Sequence, residues 1–425
     1  MTTTSPGRRR IAVVGSGVAG LTAAWVLQRD ADVTLYEADN RLGGHAHTHD
    51  VTHASGGTLA VDTGFIVHNQ RTYPTLLRLF EELGVGTQES DMSMSIRCDG
   101  CGLEYAGGCG ASGIFAQPRS LVRGRFLRML TEIKKFHRQA QALLGDDSDP
   151  DQTLGDFLGC GSYSDYFVTH FMTPMVSAVW SCAPETAQSY PARYLFSFLQ
   201  HHGMLSVKGS PTWRTVVGGS RTYVDKVAKE LSAVMTNTPV RALHRHPAGI
   251  NIHDDAGAVT RFDAAVVATH PDQALRLLAE PTRAERVVLG AFSYSRNPTV
   301  LHTDTAVLPR SRAAQASWNY RMRSCTTPSD RVLVSYDMNR LQRLPGPERY
   351  VVTLNDHAEI DPAKVLDEMV YEHPIFTPES VAAQARLPEL DSSVLAYAGA
   401  YHGWGFHEDG CRSGLRAAEQ IGGVW

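Results

Sequence analysis

Residues 11–37 read IAVVGSGVAGLTAAWVLQRDADVTLYE, and this stretch decides the fold. Residues 11–14 (IAVV) form the short apolar run that a strand buried on both faces requires. Gly15, Gly17 and Gly20 follow in G-x-G-x-x-G spacing, Leu21 to Gln28 reads as a helix, and VTLYE reads as a second strand ending at Glu37. Strand, tight turn and helix in this order make the dinucleotide-binding fingerprint. Gly15 permits the turn, Gly17 admits a pyrophosphate to the backbone beside Ser16, Val18 and Ala19, and Gly20 lets helix and strand pack closely. The helix start offers free N–H groups and a positive dipole end to phosphates. Glu37 is placed to accept hydrogen bonds from ribose hydroxyls, and its charge disfavours the 2′-phosphate of NADP.

The residues after the second strand choose among dinucleotides. Glu37-Ala38-Asp39-Asn40-Arg41-Leu42-Gly43-Gly44 resembles the corresponding segment of the FAD-dependent amine oxidoreductase superfamily, which includes monoamine oxidases, phytoene desaturases and protoporphyrinogen oxidase. The resemblance implies non-covalently bound FAD, with Ala38 and the double glycine against it. The family usually has a basic residue after the glycine pair; here it is His45, so Arg41 and backbone N–H groups are expected to take more of the phosphate binding. Near the other end, VLAYAG (394–399), AYHGWGFHEDG (400–410) and a helix from about Cys411 to Ile421 resemble the family's C-terminal signature. That implies Gly399, Glu408, Asp409 and Gly410 at the cofactor, one carboxylate accepting a ribityl hydroxyl. Asp409 reads equally well as a cap on the last helix. The resemblance further implies that Val240 holds the adenine, that Thr63-Gly64 lie beside the isoalloxazine, and that Gly218-Gly219 pass close to the ring.

The expected fold class is α/β (α+β overall). A Rossmann-like FAD-binding domain from residues 1–85, 210–290 and 390–425 is interleaved with a substrate domain of mixed sheet plus helices, from 86–209 and 291–389. Four phrases narrow the resemblance: VDTGFIVHNQRTYPTL (61–76), FLQHHGMLSVKGSPTWRTVVGGSRTYVDKV (198–227), YDMNRLQ (336–342) and GFHEDGCRSGL (405–415). They resemble bacterial predicted FAD-binding oxidoreductases associated with cyclopropane-fatty-acid synthases, which implies an apolar or fatty-acyl substrate. On that reading the protein takes hydride from a substrate C–H and is reoxidised by oxygen or another acceptor. Three alternatives stand beside it: a flavin amine oxidase, a redox-neutral fatty-acid double-bond isomerase, and a non-catalytic binding protein of the same fold.

Residues for the chemistry are sought among aromatics and histidines. Trp213, Trp318, Tyr320, Tyr401 and Trp404 are candidate pocket walls, with Tyr401 and Trp404 inside the C-terminal signature. The strand PTVLHTDT aligns His302 with the lysine that many relatives carry near flavin N5, making His302 a candidate base or relay; His201 and His202 are alternatives. No cysteine lies between Cys325 and Cys411, which argues against covalent flavin attachment. No metal is expected: His45, His47 and His49 fall inside the FAD motif, and Cys98 and Cys101, followed by Cys109, sit in a Gly-rich hairpin with free thiols as the default reading and a zinc or redox pair as the alternative.

Composition limits the remaining classes. The 425 residues carry 40 Lys and Arg against 44 Asp and Glu, a net charge of −4, which argues against a nucleic-acid partner. No apolar run is long enough to cross a bilayer. The arginines of MTTTSPGRRR lead into the first strand rather than an export signal, and seven scattered cysteines imply no disulfide framework, so a cytoplasmic location is expected. Residues 119–144 are expected to form a basic amphipathic helix able to touch an anionic membrane surface.

Overall fold

The computed structural model describes residues 7–53, 56–145, 152–206, 209–327 and 329–425; the first six residues of MTTTSPGRRR lie outside this set. The apolar run at 11–14 sits in strand Arg9–Val14, the middle of a five-stranded parallel sheet. Its neighbours are Ala31–Tyr36, then Ala233–Met235, on one side, and Ala264–Val267, then Leu395–Tyr397, on the other. Helix Val18–Leu27 begins three residues earlier than the periodicity predicts and is buried on nearly every side. One neighbour is helix His407–Gln420, which starts a turn before its expected position. A Cβ at Gly414 would lie 2.2 Å from the Ala19 carbonyl oxygen, so two nearly bare helix surfaces meet there.

The second layer is a seven-stranded sheet in the order Val365–Ile375, Ser293–His302, Val351–Leu354, Val334–Asp337, Trp318–Met322, Met94–Cys98, Leu103–Gly107. Only Trp318–Met322 and Met94–Cys98 pair in parallel. Side chains alternate across it. The register sets Trp318, Tyr336 and Val352 on one face and Asn319, Ser335 and Thr353 on the other. The strands of the parallel sheet come from 9–36, 233–267 and 395–397; those of the mixed sheet come from 94–107 and 293–375.

The basic segment is a 3-10 turn, Pro118–Val122, followed by helix Gly124–Leu144. Phe126, Met129, Phe136 and Ala140 are its buried stripe. Several of its cations turn to the protein itself. Arg119 bonds the Gly102 carbonyl and Arg123 that of Cys101, Arg128 pairs with Glu132, and Lys135 bonds the Gly161 carbonyl.

Candidate FAD and substrate site

A cavity of about 1280 Å³ runs from the glycine turn into the mixed sheet. It exceeds the roughly 300–1,000 Å³ of an ordinary small-molecule pocket, leaving room for a dinucleotide and a second molecule. The first end is built by the fingerprint. Gly15, Ser16, Gly17, Val18 and Ala19 line it, with Glu37, Ala38, Gly44, His45, Thr63, Gly64, Val240 and Gly399. Gly15 adopts φ +99°, and a Cβ there would sit 2.8 Å from the Ala268 carbonyl oxygen. Glu37 Oε2 accepts from the Ser16 N–H (3.0 Å) and hydroxyl (2.5 Å), and Oε1 from the Asp39 N–H (3.0 Å). The carboxylate therefore shapes the turn as well as facing the cavity.

Several expected cofactor contacts fall elsewhere. Gly20 does not line the cavity and serves the close packing expected of it; its hydrogen lies against the Gly15 carbonyl, where a Cβ would be 1.9 Å from the oxygen. Gly43, at φ +107°, packs on Ala46 and Val224. Arg41 donates to the Gly44 carbonyl at 2.7 Å and so supports the turn from behind. Gly218 and Gly219 are also outside the lining, Gly219 lying against Thr48 and Asp62.

The C-terminal carboxylates are structural. Glu408 accepts the N–H groups of Thr75 and Leu76, both at 3.0 Å, and so caps helix Pro74–Glu82. Asp409 accepts the Phe406 N–H at 3.1 Å and caps its own helix, with burial pushing its carboxyl up to about 6. Gly410 packs against Val18. Beside the carboxylates it is His407 that faces the cavity, stacked on Phe65 at 3.5 Å with Nε2 3.1 Å from the Tyr223 hydroxyl. Glu408→Gln should lower stability by about 1–3 kcal/mol, since one buried N–H of the helix start loses its charged acceptor. FAD affinity should not change; equilibrium unfolding and a flavin titration measure the two effects separately.

His302 is likewise out of place for chemistry. It pairs with Val351, on the face opposite Trp318 and Tyr336. Its Nε2 lies 2.7 Å from the Thr353 hydroxyl, its Nδ1 accepts from the Asp304 N–H at 3.1 Å, and burial holds its pKa down to about 4. A strand alignment one residue out of phase exchanges the two faces. His302→Ala should therefore destabilise the fold by about 2–4 kcal/mol through a cavity and two unpaired partners. Turnover per folded molecule should stay at the wild-type level, as rate measured against FAD content will show.

Tyr401 and Trp404 do line the cavity, with Trp213 and Trp318; Tyr320 does not. The Tyr401 hydroxyl and the indole nitrogens of Trp404 and Trp318 are buried without a protein hydrogen-bond partner. Three unpaired donors on one cavity fit a bound molecule rich in acceptors, as a flavin is. Of the alternative histidines, His202 lines the cavity and His201 does not. Tyr371 and His373 were missed by the sequence reading. Both line the cavity beside His45, and the Tyr371 hydroxyl sits 2.6 Å from that of Thr63. Their period-two spacing in strand Val365–Ile375 was the available signal.

Comparison with known proteins agrees with this geometry. The family model for flavin containing amine oxidoreductase matches residues 18–422. A Mycobacterium tuberculosis chain, AofH, named as a candidate flavin-containing monoamine oxidase, is 28% identical over 267 residues, 60% of this chain. The match spans 56% of AofH, just over half its length. Putrescine oxidase bound to putrescine superposes with a TM-score of 0.69 at 15% identity, covering 97% of this chain and 99% of that one. A conjugated-linoleic-acid-producing fatty acid isomerase from P. acnes gives 0.68 at 14% identity, covering 99% and 100%. These likenesses establish a shared fold, and the family model, matched over nearly the whole chain, establishes more: the chain belongs to the flavin containing amine oxidoreductase family, whose cofactor is FAD.

Proposed function

We propose that the protein oxidises a C–H bond of an uncharged, apolar substrate, with a fatty-acyl chain as the favoured class. One observation carries this reading. The half of the cavity beyond the glycine turn is walled by Met92, Met94, Phe171, Met175, Met204 and Leu354. Among the described residues, the carboxylates lining the cavity are Glu37, Asp39 and Glu372. Glu37 and Asp39 stand at the ribose end, and Glu372 is 3.3 Å from His270. An ammonium group in the apolar half would meet no opposite charge, and burying an unpaired cation is costly.

When bound, FAD supplies the hydride acceptor. The glycine turn and Glu37 would hold its phosphates and ribose, and Thr63, Gly64 and His45 would flank the ring. His202 is the proposed proton acceptor. Its Nδ1 lies 3.0 Å from the Phe198 carbonyl and must carry the hydrogen, leaving Nε2 with a lone pair. Burial holds its pKa down to about 4, so the imidazole is neutral at pH 7. His202→Asn should slow flavin reduction by about 100-fold with FAD affinity unchanged.

The deciding experiment is anaerobic stopped-flow mixing of the holoenzyme with fatty acids, phospholipids and amines. Bleaching of the flavin by an acyl substrate and not by amines is the expected result. Bleaching by amines alone would overturn the proposal. Acyl turnover without net bleaching or oxygen uptake would instead assign a redox-neutral isomerase.

A further inference from the structure

Four residues far apart in the chain meet at one end of the mixed sheet. Cys98 ends strand Met94–Cys98, and Cys101 sits in the turn of its hairpin. Cys325 follows strand Trp318–Met322, the parallel neighbour, and the register aligns Met322 with Cys98. His170 comes from the π-helical turn Val168–Met172. Cys98 Sγ lies 3.3 Å from Cys325 Sγ, and Cys101 Sγ lies 3.6 Å from His170 Nε2. All four donor atoms are within 4.8 Å of one another. Cys109, which the sequence groups with the pair, is not part of the set.

The surroundings are arranged around these donors. The Asp99 N–H bonds the Met322 carbonyl at 2.8 Å, which fixes the hairpin turn against the loop that carries Cys325. Gly100 is needed there, because a Cβ would lie 3.0 Å from the Cys325 nitrogen and 3.1 Å from Ser324 Cα. His170 Nδ1 is 3.3 Å from the Tyr166 carbonyl, which fixes the tautomer and leaves the Nε2 lone pair facing the sulfurs. The Tyr166 ring stacks on the imidazole at 4.1 Å, and the Tyr105 hydroxyl holds the His170 carbonyl at 2.7 Å. A π-turn inside a helix is uncommon and concentrates at functional sites. Arg123 donates to the Cys101 carbonyl at 3.0 Å, and the Arg125 guanidinium lies 5.1 Å from the Tyr166 ring centre.

We propose that Cys98, Cys101, Cys325 and His170 bind one Zn²⁺ in a closed tetrahedral site. Zn–S bonds of about 2.3 Å and a Zn–N bond of about 2.0 Å give donor separations of roughly 3.5–3.8 Å, a spacing these atoms reach with small side-chain rotations. Binding releases the three thiol protons. Three thiolates, a neutral imidazole and Zn²⁺ sum to one negative charge, which Arg123 and Arg125 offset. Four protein ligands leave no open position, so the metal is structural. It ties the hairpin to the helix whose next residue, Phe171, lines the cavity. Met94, at the other end of the ligand strand, lines it too, about 13 Å away at the rise of a strand.

The test is metal analysis of the holoenzyme, purified without chelator from zinc-supplemented cells, with FAD quantified in parallel. About one zinc per chain is expected, and X-ray absorption should show three sulfurs and one nitrogen at those distances. Cys325→Ser and His170→Ala should each lose zinc while keeping FAD, and Cys109→Ser should keep both. If the ligand variants fail to fold, the absorption spectrum of the wild-type protein still decides. A zinc-free wild-type protein, with the thiols free or with a Cys98–Cys325 disulfide on non-reducing peptide mapping, would overturn the proposal. So would zinc retained in His170→Ala.

Discussion

Gly20→Ala is expected to abolish recovery of a folded, yellow protein, whereas Gly17→Ala should fold and lose only the cofactor. The two glycines are three residues apart in one turn, yet a methyl group meets different surroundings at each. At Gly20 the added Cβ would lie 1.9 Å from the Gly15 carbonyl oxygen and 3.2 Å from Ala268 Cβ. Both are held by the parallel sheet, since Gly15 N–H bonds the Tyr36 carbonyl and Ala268 N–H bonds the Val14 carbonyl, each at 2.8 Å. Backbone cannot rotate away as a flexible side chain can, so helix Val18–Leu27 must lift off the sheet. An overlap of that kind costs at least about 3 kcal/mol, a large part of the roughly 5–15 kcal/mol that holds a domain together. At Gly17 no atom lies within 4 Å of the Cβ position, which opens on the cavity. The methyl there would occupy the space where a pyrophosphate approaches the backbone. Soluble yield, thermal unfolding and FAD content measure the contrast. Undiminished FAD affinity in Gly17→Ala would remove the pyrophosphate from this turn.

The contrast also shows what was legible in the sequence. The fingerprint was, because its glycines answer to local backbone sterics that any chain of that spacing must satisfy. Cavity-lining positions read by likeness to the family, such as Val240 and Gly399, were legible because they sit at fixed offsets from strand ends. Glu408 misled because a motif states which residues recur, not whether they face a ligand or a helix start, while Asp409 caps its own helix as the alternative reading expects. His302 misled for a different reason: a one-residue phase error along a strand is invisible in an apolar run such as VLH, and it inverts the face. The zinc ligands illustrate the remaining limit. Cys98-x-x-Cys101 is visible in the chain, but Cys325 reaches it only through the parallel pairing of Trp318–Met322 with Met94–Cys98, a contact 227 residues long in sequence. No local pattern encodes that pairing.

Acidification from pH 7 to pH 5 is expected to remove several kcal/mol of stability, and the origin is a set of buried neutral histidines. Burial holds His68, His202, His302 and His373 down to about 4 and His407 down to about 3. Their ordinary value is about 6.5. Between 6.5 and the depressed value the unfolded chain takes up a proton that the native state refuses, so stability is full above pH 6.5 and declines as pH falls. Each such histidine costs about 2 kcal/mol by pH 5. Burial acts in the opposite sense on Asp62 and Asp409, both pushed up to about 6, whose native forms gain protons first and recover about 1 kcal/mol each at pH 5. Glu408, Asp337 and Asp391 are raised as well and add to that recovery. Five histidines at about twice the effect per group outweigh them. His68 isolates the cause. It is fully buried among Phe65, Tyr73 and Phe80, both ring nitrogens lack a protein partner, and it does not line the cavity. His68→Phe removes one titrating group and two unpaired polar atoms and keeps an aromatic ring among the same neighbours, and its added volume acts equally at every pH. It should raise stability by about 2 kcal/mol more at pH 5 than at pH 7. Denaturant midpoints of wild type and variant at pH 7, 6 and 5 provide the measurement. A wild-type midpoint that does not move between pH 7 and 5, or an equal shift of the variant at both, would show that these imidazoles are not the acid-sensitive element.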